Sequence, residues 1–188
     1  MKVLLLNGSP RKAGCTFTAL TEVAKVLEAE GIDTEIVQAV DDSIDYVKEV
    51  VEKFKKADAL VVGSPVYYAS PTGAVMAFMD KFAGLAKADM RLKPAAVVAS
   101  ARRAGTTATL DALMKYLTIN EMPIVSSNYW TMVHGNSPEE VLQDIEGIEV
   151  MQTLGKNMAW LLKSIEVARE AGLEMPEITE KTKTNFIR

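Results

Sequence analysis

Small and basic residues are concentrated near the amino terminus, in the stretch GSPRKAGCT that spans residues 8–16. It follows an apolar run at residues 3–6 and precedes a helical pattern, so its end should leave backbone N–H groups free at a helix start. Free N–H groups, hydroxyl groups and positive charge together favour an anion such as a phosphate. The alternative is an ordinary strand-to-helix turn that is small and basic. The candidate phosphate ligands are Ser9, Arg11, Gly14, Cys15 and Thr16.

The spacing of this stretch excludes two common nucleotide motifs. A P-loop has four residues between its glycines and a lysine after the second, whereas five residues separate Gly8 from Gly14 and Cys15 follows. The dinucleotide pattern GxGxxG is absent because Pro10 follows Ser9. The stretch therefore predicts a site for a monophosphate.

A second stretch, GSPVYYASPTG at residues 63–73, places two adjacent tyrosines after an apolar run. Its prolines restrict the backbone, and Tyr67 and Tyr68 supply aromatic surface that suits a flat ring. The alternative is a packed loop whose tyrosines belong to the core. Adjacent side chains cannot both point into the core, so we expect at least one tyrosine to be available to a ligand.

A third stretch, SARRAGTT at residues 100–107, combines hydrogen-bonding groups with two arginines before another helical pattern. Arg102 and Arg103 stand where the helix dipole does not favour positive charge, which suggests a compensating use. They either bind an anionic ligand group or form a solvated pair. The hydrogen-bonding candidates are Ser100, Gly105 and Thr106.

The chain has one cysteine and one histidine. One cysteine cannot form an intramolecular disulfide or ligate a four-cysteine cluster, and we expect no metal site. A helix start lowers the pKa of a thiol, so Cys15 is either a reactive thiol or, as we prefer, a residue that lends its backbone N–H. His134 is either a hydrogen-bonded loop residue, which we prefer, or a candidate for acid–base chemistry.

Composition describes a soluble globular protein. The 188 residues are 48% hydrophobic and 24% charged, with a formal charge of −4 and a pI near 5.2. This charge argues against nucleic acid as a partner. No apolar run is long enough to span a bilayer and no signal-peptide pattern is present, so we expect no membrane association and a cytoplasmic location.

Apolar periodicity predicts alternating strands and helices, which fold into an α/β doubly wound parallel sheet. Five strands suit the order 2-1-3-4-5 with helices on both faces, and a ligand then binds beyond the carboxyl ends of strands 1 and 3. Strands are predicted at residues 3–6, 32–37, 59–62, 95–99 and 123–126. Helices are predicted at residues 17–30, 44–56, 73–86, 106–119 and 139–170, the last with a break at Gly147 or Gly155.

The final helix carries more apolar residues than one buried stripe needs, and residues 128–138 form a loop rich in aromatic side chains. This excess predicts a homo-oligomer, a dimer or a tetramer. We assign residues 1–172 to one domain and residues 173–188 to an extended C-terminal tail.

The three stretches resemble those of the flavodoxin-like NAD(P)H-dependent FMN reductases and the related iron–sulfur flavoproteins. GSPRKAGCT is similar to their FMN phosphate loop, with Cys15 where asparagine is usual, and SARRAGTTATL is similar to their third loop. In the second loop, the resemblance implies that Pro65, Val66, Tyr67 and Tyr68 hold the isoalloxazine ring. It also implies that Ser100, Arg103, Gly105 and Thr106 line the polar edge of that ring. We expect Arg103 to serve the ring, and Arg102 to face solvent or NADPH.

The resemblance implies an FMN enzyme that takes hydride from NAD(P)H and reduces a small-molecule acceptor, such as a flavin, a quinone or another electrophilic aromatic. The flavin supplies the chemistry, so no catalytic side chain is expected. The cluster cysteines of the iron–sulfur flavoproteins are absent, so the cluster is not implied. Two alternatives are a flavodoxin-type electron carrier, which the acidic charge suits, and a flavin-free binding domain.

Overall fold

A computed structural model describes residues 1–178 and residue 182, and strands and helices alternate along this part of the chain. The strands are β1 (Lys2–Asn7), β2 (Asp33–Gln38), β3 (Ala59–Pro65), β4 (Ala95–Ala101) and β5 (Met132–His134). The helices are α1 (Cys15–Ala29), α2 (Ile44–Lys55), α3 (Gly73–Met90), α4 (Thr106–Thr118), α5 (Pro138–Val141) and α6 (Ile145–Glu170).

The strands form one parallel sheet in the order β2-β1-β3-β4-β5, which confirms the predicted topology. The three central strands are almost completely buried, as expected of strands with helices on both faces. Helices α2, α3 and α4 pack on one face of the sheet. Helices α1, α5 and α6 pack on the other.

The position predicted for the fifth strand is wrong. Residues 123–126 touch β4 only briefly, through a parallel bridge between Ile124 and Ala95. The chain then leaves the sheet, and the strand proper begins at Met132, within the stretch predicted as a loop. Helix α6 fixes the segment between this bridge and β5, because Ser127 Oγ donates to Val150 O at 2.7 Å.

The last predicted helix is two helices, and the break lies at residues 142–144. Helix α6 is continuous through both Gly147 and Gly155, so the predicted break points are wrong. Asp144 at this break is the N-cap of α6, and its Oδ1 accepts from the N–H of Gly147 at 3.0 Å. The start of α5 is as expected, with Ser137 as N-cap and Pro138 in the first turn.

Residues 173–178 have no regular secondary structure and are exposed. Arg91 Nη1 donates to Pro176 O at 3.0 Å, so this segment passes the C-terminal end of α3. The rest of the predicted tail, apart from Thr182, lies outside the described residues. Among the described helices, none has the length and apolar content needed to cross a membrane.

Candidate functional site

Three loops meet at the carboxyl edge of the sheet around a cleft of about 190 Å³. Loop 1 (residues 8–14) follows β1, loop 2 (residues 66–72) follows β3, and loop 3 (residues 102–105) follows β4. These are the loops that the predicted strand order brings together at its reversal point. A fourth segment, after β5, closes one side.

The wall formed by loop 1 and the start of α1 carries buried hydroxyl groups. Ser9 is almost completely buried, and its Oγ accepts from the N–H of Arg11 at 3.1 Å, which leaves its proton free for a ligand. Thr16 Oγ1 lies 2.7 Å from Ser100 Oγ across the cleft floor. One hydroxyl of that pair donates to the other, so one proton of the pair remains available.

The start of α1 leaves backbone donors facing the cleft. Gly14 is the N-cap and has no side chain to cap the helix, and the first helical hydrogen bond runs from Thr18 N to Gly14 O at 3.0 Å. The helix itself therefore supplies no acceptor for the N–H groups of Cys15 and Thr16. An anion in the cleft would receive these donors.

Cys15 lines the cleft, but its thiol is not activated. Burial raises the pKa of the Cys15 thiol, and this outweighs the lowering by its backbone hydrogen bond and by the charge of Arg11. Its Sγ lies 3.7 Å from the carbonyl oxygen of Gly135. The geometry therefore favours the backbone role over that of a reactive thiol.

Loop 2 supplies the flat wall. Pro65, Val66 and Tyr67 line the cleft, and Val66 N donates to Ser100 O at 2.9 Å, which ties the loop to the end of β4. Tyr67 is 46% exposed and Tyr68 is completely exposed. Tyr68 is at the tip of the loop and points into solvent, so it does not line the cleft.

The tip of loop 2 is a tight turn with an unusual backbone. Tyr67 N donates to Ser70 O at 2.9 Å, and Ser70 N donates to Tyr67 O at 3.1 Å. Both central residues are left-handed, with φ of 51° at Tyr68 and 56° at Ala69. Such a type I′ turn normally contains asparagine and glycine, so its tyrosine and alanine are strained.

Loop 3 packs directly against loop 2 at Gly105. Its φ is +100°, and a Cβ there would lie 2.7 Å from Ala69 Cα and 2.8 Å from Val66 Cγ1. Only glycine allows both the conformation and the close approach. Gly105 and the buried Thr106 therefore support the cleft from behind and do not line it.

The structure separates the two arginines of loop 3. Both are exposed, but Arg102 lines the cleft and Arg103 lies outside the lining. This reverses the expected placement, in which Arg103 served the ring. Loop 3 is short and β4 extends as far as Ala101, so the next residue in the chain, Arg102, lies beside the cleft.

The segment after β5 supplies a wall that the sequence interpretation missed. Gly135 and Asn136 line the cleft with Ala101, and Gly135 N donates to Ala101 O at 3.0 Å. The sequence interpretation missed this wall because it misplaced the fifth strand, although Gly135 lies only two residues before Ser137, the correctly predicted N-cap of α5. His134 lies outside the lining, with its Nδ1 3.8 Å from Asp144 Oδ2.

The donors and surfaces of the cleft fit an FMN molecule. Hydroxyl protons, helix-start N–H groups and Arg11 at one end suit its phosphate. Pro65, Val66 and Tyr67 suit a flat ring at the other end. Among the described residues, no group of three or more His, Cys, Asp or Glu side chains could hold a metal ion.

Similar proteins carry flavins. An iron-sulfur flavoprotein of Methanocaldococcus jannaschii is 28% identical over 192 residues, covering 88% of this chain and 100% of the relative. The structure of RosB with bound 8-demethyl-8-formylriboflavin-5'-phosphate has a TM-score of 0.72 at 17% identity, covering 100% of this chain and 94% of that chain. A WrbA-like flavodoxin from Agrobacterium tumefaciens has a TM-score of 0.68 at 16% identity, covering 87% and 97%.

The family comparison covers most of the chain, including loops 1, 2 and 3. The sequence profile described as NADPH-dependent FMN reductase matches residues 1–137. The chain therefore belongs to the NADPH-dependent FMN reductase family, as its resemblance to that family predicted.

Proposed function

We propose that this chain is an FMN-dependent oxidoreductase that uses NAD(P)H to reduce a flavin, a quinone or another electrophilic aromatic acceptor. The bound FMN would supply hydride acceptance and electron transfer. The observation that carries the proposal is the cleft itself. It joins an anion-binding loop to a flat, open wall at the reversal point of the sheet.

Loop 1 and the start of α1 would hold the phosphate. The donors are fixed before the ligand arrives, because the loop is anchored at both ends by β1 and α1. Pre-formed donors cost little to order on binding. The residues assigned to the phosphate are Ser9, Arg11, Gly14, Cys15 and Thr16.

Loops 2 and 3 would hold the ring. Pro65, Val66 and Tyr67 offer one flat wall, and Tyr68 stands at the open side, where a second substrate would enter. We assign the polar edge of the ring to Arg102, and keep Gly105 and Thr106 as the support behind it. Ser100 would act with the phosphate donors, because its Oγ lies 2.7 Å from Thr16 Oγ1. Arg103 would then face an incoming anionic substrate.

An iron–sulfur cluster is not part of the proposal. The relative from Methanocaldococcus jannaschii is called an iron-sulfur flavoprotein, whereas the single cysteine of this chain cannot supply four thiolates. FMN is therefore the only redox group that we propose.

Flavin absorbance of the purified protein tests the proposal first. We expect the absorption bands of oxidised flavin, and their loss when NADH or NADPH is added without oxygen. An electron carrier, which the charge of −4 suits, would carry flavin that neither nucleotide bleaches at a catalytic rate. A chain that binds no flavin, even after incubation with FMN, contradicts both functions.

We also propose that the chain is a homo-oligomer. Tyr129 and Trp130 form an edge-to-face pair and are 55% and 59% exposed, while Trp160 on α6 is 71% exposed. Exposed aromatic surface of this kind is usually covered in an assembly. Light scattering at micromolar concentration should give a dimer or a tetramer, and a monomer would contradict the proposal.

A further inference from the structure

Two amide side chains, one buried and one partly buried, lie beneath loop 1, outside the lining of the cleft. Asn7 and Gln38 are neighbours at the carboxyl ends of β1 and β2, and Asn7 is 1% exposed. Asn7 Nδ2 donates to Gln38 Oε1 and to Lys12 O, each at 3.2 Å. Asn7 Oδ1 accepts from Ser9 N at 3.1 Å, and Gln38 Nε2 donates to Ser9 O.

A third side chain acts in the same way on the carbonyl oxygen of the preceding residue, Gly8. Thr72 is 2% exposed, and its Oγ1 donates to Gly8 O at 2.9 Å. Together with Gln38 and Asn7, it pairs the carbonyl oxygens of Gly8, Ser9 and Lys12. All three of these carbonyl oxygens are thus held by groups on the protein side of the loop.

This pairing matters because carbonyl oxygens repel an anion. A loop binds phosphate only when its N–H groups, and not its oxygens, converge on the ligand. A peptide group that rotated would replace a donor by an acceptor, which reverses the sign of its interaction with the phosphate. Holding these oxygens below the loop therefore keeps three acceptors away from the phosphate.

We propose that Asn7 and Gln38 are positioning residues that make the cleft selective for the phosphorylated flavin. They act through loop 1, which they hold with its carbonyl oxygens turned away from the ligand. The inference rests on the proposed function, since it concerns how FMN is distinguished from riboflavin, which has the same ring and no phosphate.

The test compares Asn7→Ala and Gln38→Met with the wild-type chain by titration of the apoprotein with FMN and with riboflavin. We expect each variant to raise the Kd for FMN about tenfold and to leave the Kd for riboflavin within about twofold. Gln38 is only partly buried, so its variant keeps the test available if the Asn7 variant does not fold.

Asn120→Ala is the matched control. Asn120 is also a buried amide, and its Nδ2 donates to Tyr116 O at 2.7 Å at the opposite edge of the sheet. It should lose a similar amount of stability and leave both Kd values unchanged.

Three results would overturn the inference. Equal weakening of both flavins would mean that the amides only support the fold, and unchanged binding of FMN would mean that loop 1 holds its shape without them. If the wild-type chain binds neither flavin, the proposed function fails and the inference fails with it. In that case the wild-type titration alone identifies the cause.

Discussion

Loop 1 and loop 2 bound the same cleft but are built in opposite ways. Loop 1 is held by side chains beneath it, which pair the carbonyl oxygens of Gly8, Ser9 and Lys12. Both loops expose their tips, residues 10–13 and 67–70, but only the tip of loop 2 contains left-handed residues, which are strained. The loop that is hydrogen-bonded from beneath faces the proposed phosphate, and the strained loop faces the proposed ring and acceptor.

This difference matches two different tasks. A phosphate has one shape and is always an anion, so a fixed set of donors can recognise it with little cost of ordering. An acceptor that varies in size needs a surface that adjusts, and strained exposed segments are common where a ligand must be admitted. Variants in loop 1 should therefore change affinity selectively for FMN, whereas variants in loops 2 and 3 should affect every flavin.

The largest effect should come from removing two hydroxyl donors at the phosphate end. Ser9→Ala with Thr16→Val should raise the Kd for FMN at least about a hundredfold, because each charge-assisted hydrogen bond contributes about 1.5–3 kcal/mol. Titration of the apoprotein measures this change. Ser164→Ala with Thr118→Val removes two surface hydroxyls that donate to helix carbonyls, and it should leave the Kd unchanged.

A folded double variant with wild-type affinity for FMN would contradict the phosphate assignment. The hydroxyl of Thr16 also pairs with Ser100, so a small loss of stability, about 1 kcal/mol, is expected as well. Riboflavin separates the two effects, since a loss of stability alone would not discriminate between the flavins.

The contact between loops 2 and 3 should produce the next largest effect. Gly105→Ala introduces a Cβ 2.7 Å from Ala69 Cα at a φ of +100°, which should destabilise the fold by about 1–3 kcal/mol. The displaced loop 2 should weaken FMN and riboflavin by a similar factor. Thermal unfolding and the two titrations measure these changes.

Gly84→Ala is the matched control for that substitution. Gly84 lies within α3, and a Cβ there meets nothing within 4 Å. The control should stabilise the fold by about 0.5–1 kcal/mol, because alanine is the better helix former. If Gly105→Ala weakens only FMN, loop 3 does not support the ring wall.

The two arginines of loop 3 should differ by a smaller factor. Arg102 lines the cleft and Arg103 does not. Arg102→Gln should therefore change the flavin midpoint potential or the nucleotide KM more than Arg103→Gln does, with a change in KM of about three- to tenfold. A lower flavin midpoint potential would indicate that Arg102 serves the ring. A KM for NADPH that rises more than that for NADH would indicate that it binds the extra phosphate. Equal effects of Arg103→Gln would contradict the assignment.

The sequence predicts the sheet order and the positions of loops 1, 2 and 3 because central parallel strands are apolar on both faces. Each such strand is therefore visible as a short continuous apolar run, and the loop begins where the run ends. It fails at β5, where the apolar pair Ile124 and Val125 forms only a bridge with β4. Met132 and Val133 form the strand because Thr131 and residues after it bond the end of β4. Only tertiary contacts decide between two such short runs.

The same limit explains the site residues that the sequence interpretation misplaced. Spacing shows that Arg102 and Arg103 share a loop, but which one faces the cleft depends on where β4 ends. The support by Gln38 was also hidden, because it lies in a strand that is distant in sequence from loop 1. The misplacement of β5 hid Gly135 and Asn136 in turn.

The smallest effect should come from the strain in the tip of loop 2. Ala69 has a φ of 56°, and alanine in this region costs about 1–2 kcal/mol more than glycine. Ala69→Gly relieves this strain, but part of the stabilisation is offset because glycine loses more backbone entropy on folding, about 0.5–1 kcal/mol. Ala69→Gly should therefore stabilise the fold by about 0.5 kcal/mol, which raises Tm by about 1–2 °C.

The control is Ala108→Gly, an exposed alanine within α4. There the same substitution has only its entropic cost, so it should destabilise the fold by about 1 kcal/mol. Opposite signs for the two variants would show that the left-handed backbone of loop 2 is strained in solution. If both variants lower Tm, the tip of loop 2 is relaxed, and the contrast with loop 1 would rest only on the hydrogen bonds beneath loop 1.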